Sequence, residues 1–248
     1  LVDWSGSMDG VLEDTLKQVI NLAMFCQRIQ VPYRVYAFTS QYEDRQAEET
    51  MEQTMERHAR YREWRAKREG LEGVLSNANG FNLLEFFNNK MTTSEFNSMA
   101  KRILDHRFRW NKGYSTGGTP LNEALAWCYL NIGKFIKNNN IEKTTFITLT
   151  DGEGGSLHGA GRYSNLDSDR SVVVDGQYKR VKQRHFIRDD VTQKTYEIRR
   201  DSTVQSDAIL RMIKDRYNVS TVGFYICRNH RRDLGSVVRA NIPDYNGN

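Results

Sequence analysis

Cysteine, proline and long apolar runs are all scarce in this chain. Three cysteines and three prolines stand among 248 residues. No run of about 18 apolar residues exists, so no segment reads as a membrane span and no membrane partner is expected. Cys26, Cys128 and Cys227 are odd in number, form no C-x-x-C pair and sit among apolar neighbours such as Met24-Phe25 and Trp127. Buried free thiols in a reducing, cytoplasmic compartment are the expectation. H-E-x-x-H and G-x-x-x-x-G-K-[ST] are also absent, which leaves those peptidases and nucleotide-binding loops without their residues. No signal peptide is visible. Leu1-Val2 already reads as part of a first strand, so upstream residues are expected and that absence carries little weight. Hydrophobic residues make up 38% and charged residues 27%. This balance implies a modest core with long polar excursions, and one large α/β domain with insertions fits better than two equal domains.

What is present begins at once. Asp3-Trp4-Ser5-Gly6-Ser7 places one carboxylate and two hydroxyls where a strand passes into a helix. Gly117-Gly118-Thr119-Pro120 adds a third hydroxyl, and Thr148-Leu149-Thr150-Asp151-Gly152-Glu153 adds a second carboxylate after an apolar strand. Oxygen-only donors suit hard divalent cations such as Mg²⁺. Each piece alone has a plainer reading. Ser5 or Ser7 is a ready helix cap, Thr119-Pro120 an N-cap with proline next to it, and Asp151-Gly152 a turn. Together they fall at strand ends and helix starts, where open α/β sheets bind ligands.

The three loops, in this order, resemble the metal-ion-dependent adhesion site of von Willebrand factor A (VWA) domains. The resemblance covers residues 1–39 and 113–152, fits 219–227 as a pattern, and leaves out 41–112 and 154–200. It implies direct ligation by Ser5 and Ser7. Thr119 would bind directly or through water, and Asp3 and Asp151 would act mostly through water. Mg²⁺ or Mn²⁺ would keep one position open for an Asp or Glu of a protein partner. Hydroxyl-rich ligation leaves the ion positive enough to attract that carboxylate. The free thiols argue against the extracellular adhesion role of many relatives. The chain looks more like intracellular VWA proteins that work beside AAA+ ATPases, including magnesium- and cobalt-chelatase subunits, and like VWA proteins of tailed phages. The alternative is a metal-assisted hydrolase, with Glu153, His158 or Asp9 as the base.

The pattern along the chain predicts a doubly wound, mostly parallel, Rossmann-like sheet. Helices are expected at 11–29, 121–136 and 203–217, and strands at 33–38, 144–149 and 219–226. The whole of 1–248 reads as one VWA-like domain, truncated at its N-terminus, with two inserts. The first, 41–112, is expected to be helical. It holds a charge-segregated helix near 43–69 with a weak Ala47, Met51, Met55, Ala59, Trp64 stripe. Beyond it, helical pieces are expected at Leu83–Phe87 and Phe96–Leu104, the latter capped by Thr93 or Ser94. The second, 154–200, is expected to be rich in β-hairpins, one turning at Asp175-Gly176 and another between Phe186 and Ile198. A last helix is expected near 234–240. Net charge is +5, with much of the excess between Tyr178 and Arg200. That hairpin reads as a solvated edge, as a surface for an acidic protein, or as a nucleic-acid binder.

Overall fold

The structure is a computed structural model that describes residues 1–40, 50–56, 59, 63, 75–76, 81–111, 113–152, 154–159, 170–181, 184–199 and 201–227. The strands are β1 (Val2–Asp3), β2 (Arg34–Ser40), β3 (Leu75–Ser76), β4 (Phe81–Asn88), β5 (Thr145–Thr150), β6 (His158–Gly159), β7 (Arg170–Val174), β8 (Gln177–Val181), β9 (His185–Arg188), β10 (Thr195–Ile198) and β11 (Ser220–Tyr225). The long helices are α1 (Leu12–Arg28), α2 (Thr93–Leu104), α3 (Leu121–Asn138) and α4 (Ser202–Tyr217).

A central sheet runs in the order β11-β5-β1-β2-β4. β1, β2, β5 and β11 are parallel, and β4 is antiparallel to β2. Successive residues of a strand face opposite sides. Ala37 accordingly joins a core with α1 and α2 residues (Leu12, Leu16, Phe96, Ile103), while Phe38 joins a second core with α3 and α4 residues (Leu125, Cys128, Ile209, Ile213). The fold is therefore α/β, a mostly parallel sheet with helices against both faces. The chain moves from β1 outward to β2 and β4, then returns to the other side of β1 for β5 and β11. The order reverses at β1, so the crevice beyond the carboxyl ends of β1 and β5 is the sheet's switch point.

Several expectations are corrected. Leu83–Phe87 is not helical: it lies inside β4, paired with β2 from Arg34↔Asn88 to Ser40↔Phe81. Its apolar residues fit a helix face on spacing alone, and cross-strand pairing with β2 decides against it. The 41–112 insert is thus not wholly helical, because its middle completes the sheet. α2 is capped by Thr92 rather than Thr93 or Ser94. Thr92 Oγ1 accepts from the Glu95 N–H (3.3 Å) while Glu95 Oε2 accepts from the Thr92 N–H (2.8 Å), a reciprocal capping box. Residues 51–56 are helical, and Met51 and Met55 are exposed, as on a solvated helix. Ala47 and Trp64, most of the 43–69 helix and the 234–240 helix lie outside the described residues.

The second insert does hold two hairpins. β7 pairs with β8 and β9 with β10, both antiparallel. Asp175 (φ 51°) and Gly176 (φ 74°) both adopt positive φ at the first turn, as a two-residue primed turn requires. Of the thiols, Cys128 is buried and Cys26 and Cys227 are half-buried, all free. Among the described residues no helix is long and apolar enough to cross a membrane.

Candidate functional site

β1 is only two residues long, and Trp4, immediately after it, fixes the path of the loop. This side chain is fully buried, meets Phe86 edge-on at 5.0 Å between ring centroids, and donates its Nε1–H to the Tyr114 carbonyl at 2.7 Å. The backbone between Asp3 and Ser5 is thereby pinned to the core. Ser5 then bridges to Gly117, with the Gly6 N–H on the Gly117 carbonyl at 2.9 Å. Gly118 bridges to Ser40 at the end of β2. Gly117 is needed for this closeness, since a Cβ there would lie 1.9 Å from the Ser40 carbonyl oxygen. The first two loops are therefore stitched together by backbone.

The side chains converge at the switch point. Ser7 Oγ donates to Asp151 Oδ1 at 2.7 Å, and Ser5 Oγ lies 2.8 Å from Ser7 Oγ. Ser7 has one hydroxyl proton and gives it to Asp151, so the Ser5–Ser7 contact is made by the Ser5 proton. Both serine oxygens keep lone pairs for another acceptor-seeking group. Asp3 Oδ1 accepts the Ser5 N–H at 3.0 Å, and Asp3 Oδ2 accepts the Thr150 hydroxyl at 2.6 Å. Neither serine caps the 3₁₀ turn Gly6–Gly10, because Ser5 occupies its N-cap without a side-chain bond. α3 likewise starts at Leu121 after Pro120 with no side-chain cap, so Thr119 is not its cap.

Asp3, Ser5, Ser7 and Asp151 thus form one hydrogen-bonded group. Thr119 arrives by backbone, half-buried, its carbonyl accepting the Gly155 N–H at 2.9 Å. Among the described residues no hydrogen bond joins its hydroxyl to the group. Asp9 is paired with Arg109, whose side chain is 8% exposed and also meets His106 Nδ1. As a base it is already engaged. The His158 backbone lies in β6, opposite Ser76, and Glu153 lies outside the described residues.

The donor chemistry fits a hard cation. Asp3 is fully buried and Asp151 is 8% exposed. Burial pushes the Asp3 carboxyl up, the Thr150 and Ser5 donors pull it back, and the charge of Asp151 pushes it up again. The partners of Asp3 are neutral donors. Two buried carboxylates with hydroxyls between them are a site that a divalent ion would relieve. Among the described residues no three His, Cys, Asp or Glu side chains gather for a metal, so any ion here would rest on the mixed carboxylate–hydroxyl set.

Thr150 and Trp4 hold the site directly, Asn122 and Gln205 bond to the Gly155 and Leu157 backbone beside it, and none of the four was singled out by the sequence. Thr150 had a signal, its place one residue before Asp151. Asn122 and Gln205, 0% and 1% exposed, had none beyond being polar on buried helix faces.

No protein-family model and no curated protein matches the chain. Among solved structures it is similar to the pilus adhesin SpaC from Lactobacillus rhamnosus GG in its open conformation. The TM-score is 0.44 at 14% identity, and the match covers 90% of this chain and 23% of the adhesin's.

Proposed function

We propose that this chain is a VWA-type interaction domain that holds one Mg²⁺ or Mn²⁺ through Ser5, Ser7 and Thr119, with Asp3 and Asp151 behind them. The ion captures an Asp or Glu of a protein partner. The observation that carries this reading is the Ser5–Ser7–Asp151 hydrogen-bonded chain beside buried Asp3 at the switch point. Neutral hydroxyls in the first shell leave the ion with charge to offer an incoming carboxylate. An AAA+ ATPase is the partner class suggested by the family resemblance.

Isothermal titration with Mg²⁺ and Mn²⁺ tests the metal. The wild type binds one ion, and Ser7→Ala and Asp151→Ala lose most of the affinity while keeping the far-ultraviolet circular dichroism of the fold. A wild type that takes up neither ion sinks the reading. A pull-down from native lysate with and without EDTA, with Asp151→Ala as control, then tests the bridge. Capture that survives both EDTA and the substitution places partner recognition elsewhere on the molecule.

A further inference from the structure

The segment leaving Asp151 is rich in glycine (Gly152, Gly154, Gly155), a composition that by itself fixes nothing. In the structure Gly154 and Gly155 are held firmly. The Gly155 N–H donates to the Thr119 carbonyl at 2.9 Å, and Asn122 Nδ2 donates to the Gly155 carbonyl at 3.0 Å. Gly154 sits so close to α3 that a Cβ there would fall 2.5 Å from Leu121 Cβ. Two residues beyond Gly155, Gln205 grips Leu157 from both sides. Gln205 Oε1 accepts the Leu157 N–H at 2.7 Å, and Gln205 Nε2 donates to the Leu157 carbonyl at 3.1 Å. Gln205 Nε2 also donates to the Arg199 carbonyl at 2.6 Å, and Gln205 Oε1 accepts from Asn122 Nδ2 at 3.3 Å. All four bonds that a glutamine amide can make are used. Asn122 is completed by the Ser202 carbonyl (3.1 Å) and the Ser206 hydroxyl (2.7 Å).

We infer that Gln205 and Asn122 are positioning residues of the metal site: they clamp the Gly154–Leu157 segment onto the start of α3 and so set the spacing between Asp151 and Thr119. The inference rests on the proposed metal site. Thr119 and Asp151 come from separate loops, and the hydrogen-bonded group of Asp3, Ser5, Ser7 and Asp151 does not include the Thr119 hydroxyl. The Gly155 N–H on the Thr119 carbonyl joins the two loops directly, and Asn122 and Gln205 hold Gly155 and Leu157 in place for it. A buried amide pair is also a poor choice where bulk stability alone is wanted, since apolar side chains fill such space without demanding partners. A fixed spacing matters most for Mg²⁺, which needs near-ideal octahedral geometry at about 2.1 Å, and less for Ca²⁺, which accepts about 2.3–2.6 Å and irregular shells. The clamp is therefore a device for ion selectivity.

The test is calorimetric titration of the full chain with Mg²⁺ and, separately, Ca²⁺, for the wild type, Gln205→Met and Gly154→Ala. Thr92→Ala, which weakens only the cap of α2, serves as a stability control. Gln205→Met removes the grip on Leu157 at similar volume. Gly154→Ala pushes the segment off Leu121 without creating an unpaired buried group, and it carries the test if Gln205→Met does not fold. The expected result is at least a tenfold loss of Mg²⁺ affinity with a smaller loss for Ca²⁺, and unchanged affinity in Thr92→Ala. Folded variants that bind Mg²⁺ as the wild type does overturn the clamp and leave the site standing. Equal losses for both ions reduce Gln205 to general support and overturn the selectivity claim. A wild type that binds no Mg²⁺ removes the site itself, and the inference with it.

Discussion

Asp3 shows how one residue can be costly to the fold and useful to the site. Its carboxylate is fully buried with neutral donors around it and Asp151 nearby, and burial raises its pKa. Asp3→Asn keeps an acceptor for the Ser5 N–H. Thr150 Oγ1 already has the Gly152 carbonyl at 3.0 Å as a second acceptor, so it can turn to accept from the new amide. The expected outcome in EDTA is a melting temperature equal to or above the wild type's, because a buried charge is gone. Saturating Mg²⁺ raises the wild type, by about 2.7 kcal/mol at one hundred times the Kd, and leaves Asp3→Asn where it was. Differential scanning fluorimetry reads both effects. The cysteines give an independent check. Burial pushes the Cys128 thiol up to about 12 and raises Cys26 less far. Cys26 and Cys227 are half-buried whereas Cys128 is buried, and thiolate is the reactive form, so DTNB should label Cys26 and Cys227 in the folded protein and reach Cys128 only on unfolding. At this scale the sequence was informative where chemistry sits in short runs. The D-x-S-G-S stretch and Asp151 point to residues that share one hydrogen-bonded group, and Thr119 of G-G-T arrives beside it by backbone only, whereas Trp4, Asn122 and Gln205 act through partners more than 30 positions away that no local pattern reveals.

Elements divide by how they are specified. α1 was legible because Leu12, Leu16, Val19, Ile20 and Ala23 recur at helical spacing, and that is the face it buries. The β7–β8 hairpin was legible because Asp175-Gly176 encodes its own turn. β4 was not, since Leu83, Leu84, Phe86 and Phe87 satisfy a helical spacing and only β2 beside them selects the strand. The cap of α2 was missed by one or two residues because Thr92, Thr93 and Ser94 are all competent caps, and the choice falls to the residue three before Glu95. Thr92→Ala should cost about 1 kcal/mol in urea unfolding, with hydrogen exchange accelerated in the first turn of α2 and unchanged in α3. Gly117→Ala belongs to the same scale. Its Cβ would sit 1.9 Å from the Ser40 carbonyl oxygen, so the two bridged loops must part. A loss of about 1–3 kcal/mol is expected, together with weaker Mg²⁺ binding by titration.

Across the whole molecule, the second insert is fastened to the helical layer by charge. Asp189, at the end of β9, is fully buried and accepts from Arg216 on α4 at 3.2 Å, while Arg216 also donates to the Tyr129 hydroxyl on α3 at 2.6 Å. Burial alone would raise the Asp189 carboxyl. The Val191 N–H, the Thr192 and Tyr129 hydroxyls and the Arg216 charge outweigh it and hold the pKa below the ordinary value. A carboxyl depressed in the folded state contributes stability at pH above its unfolded value, 3.8, and loses it as pH falls through the lower folded one. Urea stability should therefore drop in acid below about pH 4, and Arg216→Met, weaker by about 3–5 kcal/mol at neutral pH, should show a shallower acid drop. The first insert is joined to the body in another way. Ser40 and Phe81 are register partners at the open end of the β2–β4 pair, so residues 41–80 leave and re-enter the sheet at neighbouring points. Topologically, that whole stretch is the loop of a hairpin. Exchanging it for an Asn-Gly turn removes β3 and its pairing with β6 but leaves the β11-β5-β1-β2-β4 order of the central sheet intact, so this stretch can vary in length while the sheet that carries the site stays constant.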